Sequence, residues 1–345
     1  MHSRALHLAV VFIAMAGCTR AGVRKAKGDT GRSDLGALDL PSDTQTASHD
    51  LRTDGPAPSF AITSFALQWR TPTTLRWRFR FEGAEADFAT SRLLVAKDPT
   101  ALAGSASTAR VFDATSNPEL GVFTLPFTSG PDRVEHTIAT GLSPSTTYFA
   151  QLRVADKGGK EVRSAVVSAT TQAPPTRSIA VFDDAKPPGY TIPGSFARQT
   201  GAGAHGGNAY YAYTSSCQPG QSACFENLRW QGLGGDLTAL AAEFDAAFIE
   251  VALSCTGSHS YWSQARIMLR DGGGGDTIYG AAPLTFRCDG GYQRLEIPLG
   301  QLRRGIHNAL LTHAELAGRE LHEVGFGGRW AEGATVRMDS CALRW

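Results

Sequence analysis

The stretch Thr74-Leu75-Arg76-Trp77-Arg78-Phe79-Arg80-Phe81 alternates large apolar and basic side chains with a period of two. Only an extended strand with one face buried and one face wet satisfies that pattern, because a helix would scatter the arginines around its circumference. Ser91–Ala96 is another candidate strand, and further short runs follow to the end of the chain, many of them separated by glycine-bearing turns. With 38 glycines and a 42% hydrophobic content, the 345 residues suit loop-rich β structure better than a helical bundle. The expected fold class is all-β. A formal net charge of +1 supplies no global field to attract nucleic acid, which is therefore not an expected partner.

The chain opens differently. Leu8–Gly17 is an apolar run of about ten residues behind Arg4, the length of a signal-peptide core and too short to cross a bilayer. Small residues at 16 and 17 are followed by Cys18. This run resembles the lipobox of bacterial lipoproteins, with Met15 a less usual first residue. The resemblance implies a signal peptide over 1–17 and acyl chains on Cys18, which becomes the N-terminus and the membrane anchor. Each buried methylene adds about 0.8 kcal/mol of membrane affinity. Thr19, rather than Asp, resembles the sorting pattern for the outer membrane of a Gram-negative envelope. Residues 18–57 are polar and aperiodic and read as a tether. About 40 flexible residues give an r.m.s. reach of roughly 35 Å.

Residues 58–172 form the first expected domain. Trp77 points inward on its strand. Leu142-x-Pro144-x-Thr146-x-Tyr148 places a proline turn before a strand and a tyrosine where its hydroxyl can return to the preceding backbone. Ala155–Lys160 is a hairpin, and a Thr-rich strand closes the unit. These residues resemble a fibronectin type III domain, which implies a sandwich serving as spacer or binding surface. Pro174-Pro175 is a stiff joint.

Residues 177–345 read as a second sandwich. It opens at Ser178–Asp184, and strands are expected near 209–213, 226–231, 246–254, 263–270, 284–288, 292–298, 322–327 and 334–343. Helical turns are expected near 236–243 and 313–317. Phe182-Asp183-Asp184, Gly206-Gly207-Asn208-Ala209-Tyr210-Tyr211, Gly291–Leu299 with its Ile297-Pro298-Leu299, Val324–Gly327 and Val336–Leu343 occur in the order found in carbohydrate-binding modules of the galactose-binding-like class, which this part resembles. The full expectation is thus a fibronectin type III-like sandwich followed by a jelly-roll β-sandwich. In that class acidic groups of the first and last strands hold a structural calcium ion, and the resemblance gives that role to Asp183, Asp184 and Asp339. Calcium takes six to eight oxygens, so clustered carboxylates are the right chemistry. The same acids could instead cap turns or pair with Arg337 or Lys186.

Besides Cys18, the cysteines are Cys217, Cys224, Cys255, Cys288 and Cys341. Export makes disulfides plausible. Cys217–Cys224, around a Gln-Pro-Gly-Gln turn, and Cys255–Cys288, at the ends of two apolar runs, are the expected pairs. Cys341 then stays free and buried; the alternative pairs it with Cys255 or Cys288.

Sugar recognition needs flat apolar platforms and planar polar groups. Tyr261, Trp262, Trp230, Trp330 and Tyr279 are the candidate platforms, with Tyr261-Trp262 placed in a loop; Arg266, Arg329 and Gln264 are the candidate donors. No His-Glu-x-x-His, Gly-x-Ser-x-Gly or Walker sequence occurs. The expectation is a membrane-anchored, non-catalytic lipoprotein that binds a glycan and needs no catalytic cofactor. The alternatives are an adhesion module for an envelope protein and, third, a small glycan-acting enzyme.

Overall fold

The computed structural model describes residues 60–83, 87–103, 108–113, 135–182, 196–207, 209–217, 223–231, 233–234, 237–257, 259–270, 276–280, 286–304 and 309–345. All belong to one compact unit, Leu51–Trp345. Cys18, Asp183 and Asp184 lie outside the described residues.

The first sandwich faces two antiparallel sheets. One is ordered β1 (Phe60–Arg70), β2 (Leu75–Gly83), β5 (Glu135–Ala139). The other runs β4 (Arg110–Phe112), β3 (Phe88–Ala96), β6 (Thr147–Asp156), β7 (Glu161–Arg163), with β8 (Val167–Thr170) also on β6. The alternation of β2 is realised. Leu75, Trp77 and Phe79 are fully buried, whereas Arg78 and Arg80 are exposed. The buried residues pack with Leu93, Val95, Leu152 and Val154, each such side chain contributing about 1.5–3 kcal/mol by leaving water. The tyrosine corner forms as expected, with Ser143 N donating to the Tyr148 hydroxyl at 2.9 Å. At the β6–β7 hairpin Gly159 adopts φ +81°, and Asp156 O accepts from Gly159 N at 2.9 Å. Glycine takes that left-handed geometry without strain.

The second sandwich is built from β9 (Ser178–Phe182), β10 (Ala197–Thr200), β11 (Ala209–Thr214), β12 (Ala223–Gln231), β13 (Phe248–Thr256), β14 (His259–Arg270), β15 (Asp276–Gly280), β16 (Gln293–Pro298), β17 (Arg303–Arg304), β18 (Ala309–Leu310), β19 (Glu320–Ala331) and β20 (Thr335–Arg344). One sheet is ordered β10-β11-β20-β13-β16, with β9 also on β20; the other is β12-β19-β14-β15-β17-β18. Between them lies one large core that includes Phe182, Tyr211, Trp230, Ile249, Val251, Tyr279, Phe326, Trp330 and Met338. The expected all-β architecture of two successive sandwiches therefore holds. The short helices α1 (Thr238–Ala242) and α2 (His313–Leu316) fall where helical turns are expected. A capping box explains α2: Thr312 N and Oγ1 both donate to Glu315. One expectation fails. Over 286–288 no strand forms, and Asp289 makes only an isolated bridge to Thr256.

Cys255 and Cys288 form a disulfide, with Cα atoms 4.5 Å apart, and Cys341 is free and buried. Cys217 is also disulfide-bonded; the side chain of its expected partner Cys224 lies outside the described residues.

The joint after Pro175 is tied to the chain's last residue. Thr176 N and Arg177 N both donate to Trp345 O at 2.9 Å, and Trp345 N donates back to Arg177 O at 3.1 Å.

Candidate functional site on the outer face of the second sandwich

The residues singled out from sequence are split between the two sheets. Trp230, Trp330 and Tyr279 belong to the core at 1%, 1% and 0% exposure, so they present no platform to a ligand, which corrects that part of the expectation. They point inward because β12, β19 and β15 alternate toward the core at those positions: Trp230 stacks on Phe182 at 5.9 Å, and Trp330 meets Phe286 at 5.8 Å. Tyr261 and Trp262 lie within β14 rather than in a loop. The register slips between Ser260 and Gln264, so Tyr261–Ser263 form a bulge opposite β19. Arg266 stands opposite Gly325 and Gly280, and Arg329 opposite Phe225 and Ser260. The side chains of Tyr261, Trp262, Gln264, Arg266 and Arg329 lie outside the described residues.

Asp339 sits on the other sheet and is 1% exposed. Its Oδ2 accepts from His205 N at 2.5 Å and Gly206 N at 3.2 Å, and its Oδ1 accepts from Ser340 N at 2.7 Å. Ser340 is the extra residue between Asp339 and Cys341 against β13, with φ 29°. Three backbone donors meet the Asp339 charge, so its burial needs no cation. The first and last strands are neighbours as expected, with Phe182 opposite Cys341. Among the described residues no three acidic, histidine or cysteine groups converge.

Around Asp339 the outer face of β11-β20-β13-β16 carries a cluster that sequence reasoning did not single out. Outward residues of β11 and β20 include Tyr210 and Arg337, and the 201–207 segment folds back so that its amides reach Asp339. The Arg337 guanidinium lies 5.7 Å from the Tyr210 ring centre. Tyr292, just before β16, donates its hydroxyl to Gly203 O at 2.8 Å, and its ring centre is 5.1 Å from that of His205. A Cβ at Gly203 would fall 2.4 Å from the Tyr210 hydroxyl, so a larger residue there would displace the Tyr210 ring. Burial, with the Asp339 charge nearby, pushes the Tyr292 phenol up to about 12. Tyr210, Tyr292 and Arg337 are part-exposed, and His205 is exposed. The result is a surface pair of rings with a guanidinium and peptide groups beside it. The sequence signal was present in Gly206–Tyr211 and Gly291-Tyr292, but only the sheet register brings those segments together.

The same face also carries Glu250 and Glu296, directly opposite each other on β13 and β16. Like charges in that position repel unless bridged. Arg294 pairs with both, reaching Glu296 Oε1 at 3.0 Å, and Arg344 pairs with Glu250 at 2.9 Å. The β1–β2 turn of the first sandwich completes the arrangement, because Thr71 Oγ1 and Thr73 N both donate to Glu296 Oε2, the latter at 3.1 Å. The Glu296 side chain is 0% exposed. Glu296 is thus used to join the sandwiches, while Glu250 is held within the second by Arg294 and Arg344.

No family model matches the chain, and no curated protein matches it. Among solved structures, the family 11 carbohydrate-binding module of a cellulosomal cellulase of Clostridium thermocellum aligns at 14% identity over 48% of this chain and 92% of that module, with a TM-score of 0.31. A family 11 module from the same organism, in complex with a β-1,3-1,4-mixed-linked tetrasaccharide, aligns at 13% identity over 48% and 94%, with a TM-score of 0.30. A family 28 exopolygalacturonase of Yersinia enterocolitica aligns at 15% identity over 33% of this chain, which spans 21% of that enzyme, with a TM-score of 0.25. TM-scores this low carry no inference about this chain.

Proposed function

We propose that the chain is a lipoprotein, anchored through Cys18 in the outer membrane of its cell, whose second sandwich binds a glycan without catalysis. The observation that carries the proposal is the part-exposed Tyr210–Tyr292–His205 cluster with Arg337 at its side. Aromatic faces suit the C–H faces of sugar rings, and a fixed guanidinium with peptide groups suits their hydroxyls. The resemblance of this part of the sequence to carbohydrate-binding modules, and of residues 58–172 to fibronectin type III domains, favours the same reading. The burial of Glu296 favours the non-catalytic part, because a carboxylate shielded at 0% exposure cannot reach a glycosidic bond. A structural calcium ion stays in the proposal through Asp183 and Asp184.

Affinity-gel electrophoresis of the detergent-solubilised full chain against a panel of neutral polysaccharides tests it. At least one polysaccharide should retard the chain, and Tyr292→Ala or the exposed His205→Ala should weaken that binding about tenfold or more. Absence of retardation by every polymer, with cooperative melting intact, overturns the reading. A stoichiometric envelope protein captured regardless of competing sugar would favour an adhesion module instead. Loss of binding on Trp262→Ala, with Tyr292→Ala neutral, would move the site to β14.

A further inference from the structure

The outer face of the first sandwich holds a column of arginines that the proposal above does not use. Register sets their neighbours: Ser64 stands beside Arg80, Ala66 beside Arg78 and Trp69 beside Arg76. On the other side His136 is opposite Arg78 and Ile138 opposite Arg76. Arg76 lies over the Trp69 ring at 5.9 Å, and Trp69 is part-exposed. Thr63, Ser64, Ala66, Arg78, Arg80 and Glu82 line a shallow groove along this face.

Arg78 and Arg80 are exposed, and among the described residues neither has an ion-pair partner. The opposite sheet is different: Arg92, Arg153 and Arg163 all converge on Glu161. Successive outward arginines on β2 stand about 7 Å apart, and the column spans about 13 Å. Arg78 and Arg80, side by side in the column, oppose each other, whereas a ligand with repeated negative charge would neutralise them. The guanidinium presents a planar fork that matches a carboxylate.

We propose that this face is a second ligand surface, which binds an anionic, uronate-type polysaccharide by pairing its carboxylates with Arg78 and Arg80. A polymer fits better than a membrane surface. The arginines form a line along a groove, and the groove includes Glu82, which a continuous sheet of anionic headgroups would meet but a linear chain can pass. Successive carboxylates on one polymer engage successive arginines, so weak contacts combine.

The test is affinity electrophoresis of the detergent-solubilised full chain with polygalacturonate in the gel, beside a gel holding neutral hydroxyethylcellulose and a flotation assay with phosphatidylglycerol vesicles. Polygalacturonate should retard the chain, and salt at about 0.5 M should abolish the retardation by screening. The Arg78→Ser/Arg80→Ser double variant should bind about tenfold or more weakly with an unchanged melting curve, since both side chains are exposed. Tyr292→Ala should leave polygalacturonate binding intact, which separates this surface from the one on the second sandwich. No retardation by polygalacturonate, equal binding by the double variant, or binding to the vesicles alone overturns the proposal.

Discussion

Tyr292 illustrates what a single position does in this protein. Its hydroxyl is tied to Gly203 O, its ring faces His205, and its phenol is pushed up to about 12 by burial and then by Asp339. Tyr279 is raised to about 12 as well, by burial and by its 2.6 Å hydrogen bond to Glu315. Both hold the proton more tightly in the folded state than the ordinary 10.0 of a tyrosine. Their contribution is therefore fully present below pH 10 and is lost as pH rises from about 10 through about 12. Stability should fall over that window. Tyrosinate absorbance should show Tyr279 and Tyr292 among the late-titrating phenols, with Tyr211 also raised by burial, and Tyr292→Phe should remove one of them. If that variant titrates like the parent, Tyr292 is not held as described. Trp230 and Trp330 carry the opposite lesson. As isolated letters they were candidate platforms, yet both are core residues, because a tryptophan's role depends on which face of a strand it occupies.

At the scale of elements, β2 was legible over Leu75–Arg80, since its period of two assigns Leu75, Trp77 and Phe79 to the inner face and Arg78 and Arg80 to the outer one. The α2 helix was legible as a helical turn at 313–317, where Thr312 and Glu315 supply both halves of the capping box. The 284–288 segment was not: Leu284, Phe286 and Cys288 alternate with Thr285 and Arg287 as in a strand, yet the Gln293 side-chain amide takes the Arg287 N and O that a neighbouring strand would pair. The Cys255–Cys288 link closes a loop of 33 residues. In the chain-entropy account such a closure stabilises by about 3–4 kcal/mol. Cys288→Ser should lower the unfolding free energy by that much, read as a fall in the urea midpoint at unchanged slope. Cys341, buried with its thiol pushed up by desolvation and then by Glu250, should stay unalkylated until the chain unfolds. A midpoint unchanged by Cys288→Ser would show that the link contributes little.

Across the whole molecule, the two sandwiches meet at a built junction: Thr71 and Thr73 on Glu296, Gln172 Nε2 on Asp245 O at 2.8 Å, and the Trp345 clamp on Arg177. Glu296→Ala should cost about 2–3 kcal/mol, less than a fully buried pair because Arg294 is half exposed. In scanning calorimetry the variant should split one transition into two. A single unshifted transition would mean that the sandwiches are not coupled through Glu296.

By itself the sequence determined the strand class, the inward face of β2 and the tyrosine corner, because each depends on neighbours within a strand; it favoured the Cys255–Cys288 pairing, and the structure decided it against Cys341. Only the tertiary structure decided which aromatics stay at the surface, that Glu296 serves the junction, and that the 201–207 segment meets Tyr292. Those outcomes depend on register between strands far apart in the chain. A one-residue slip in that register would turn each of these side chains to the other face.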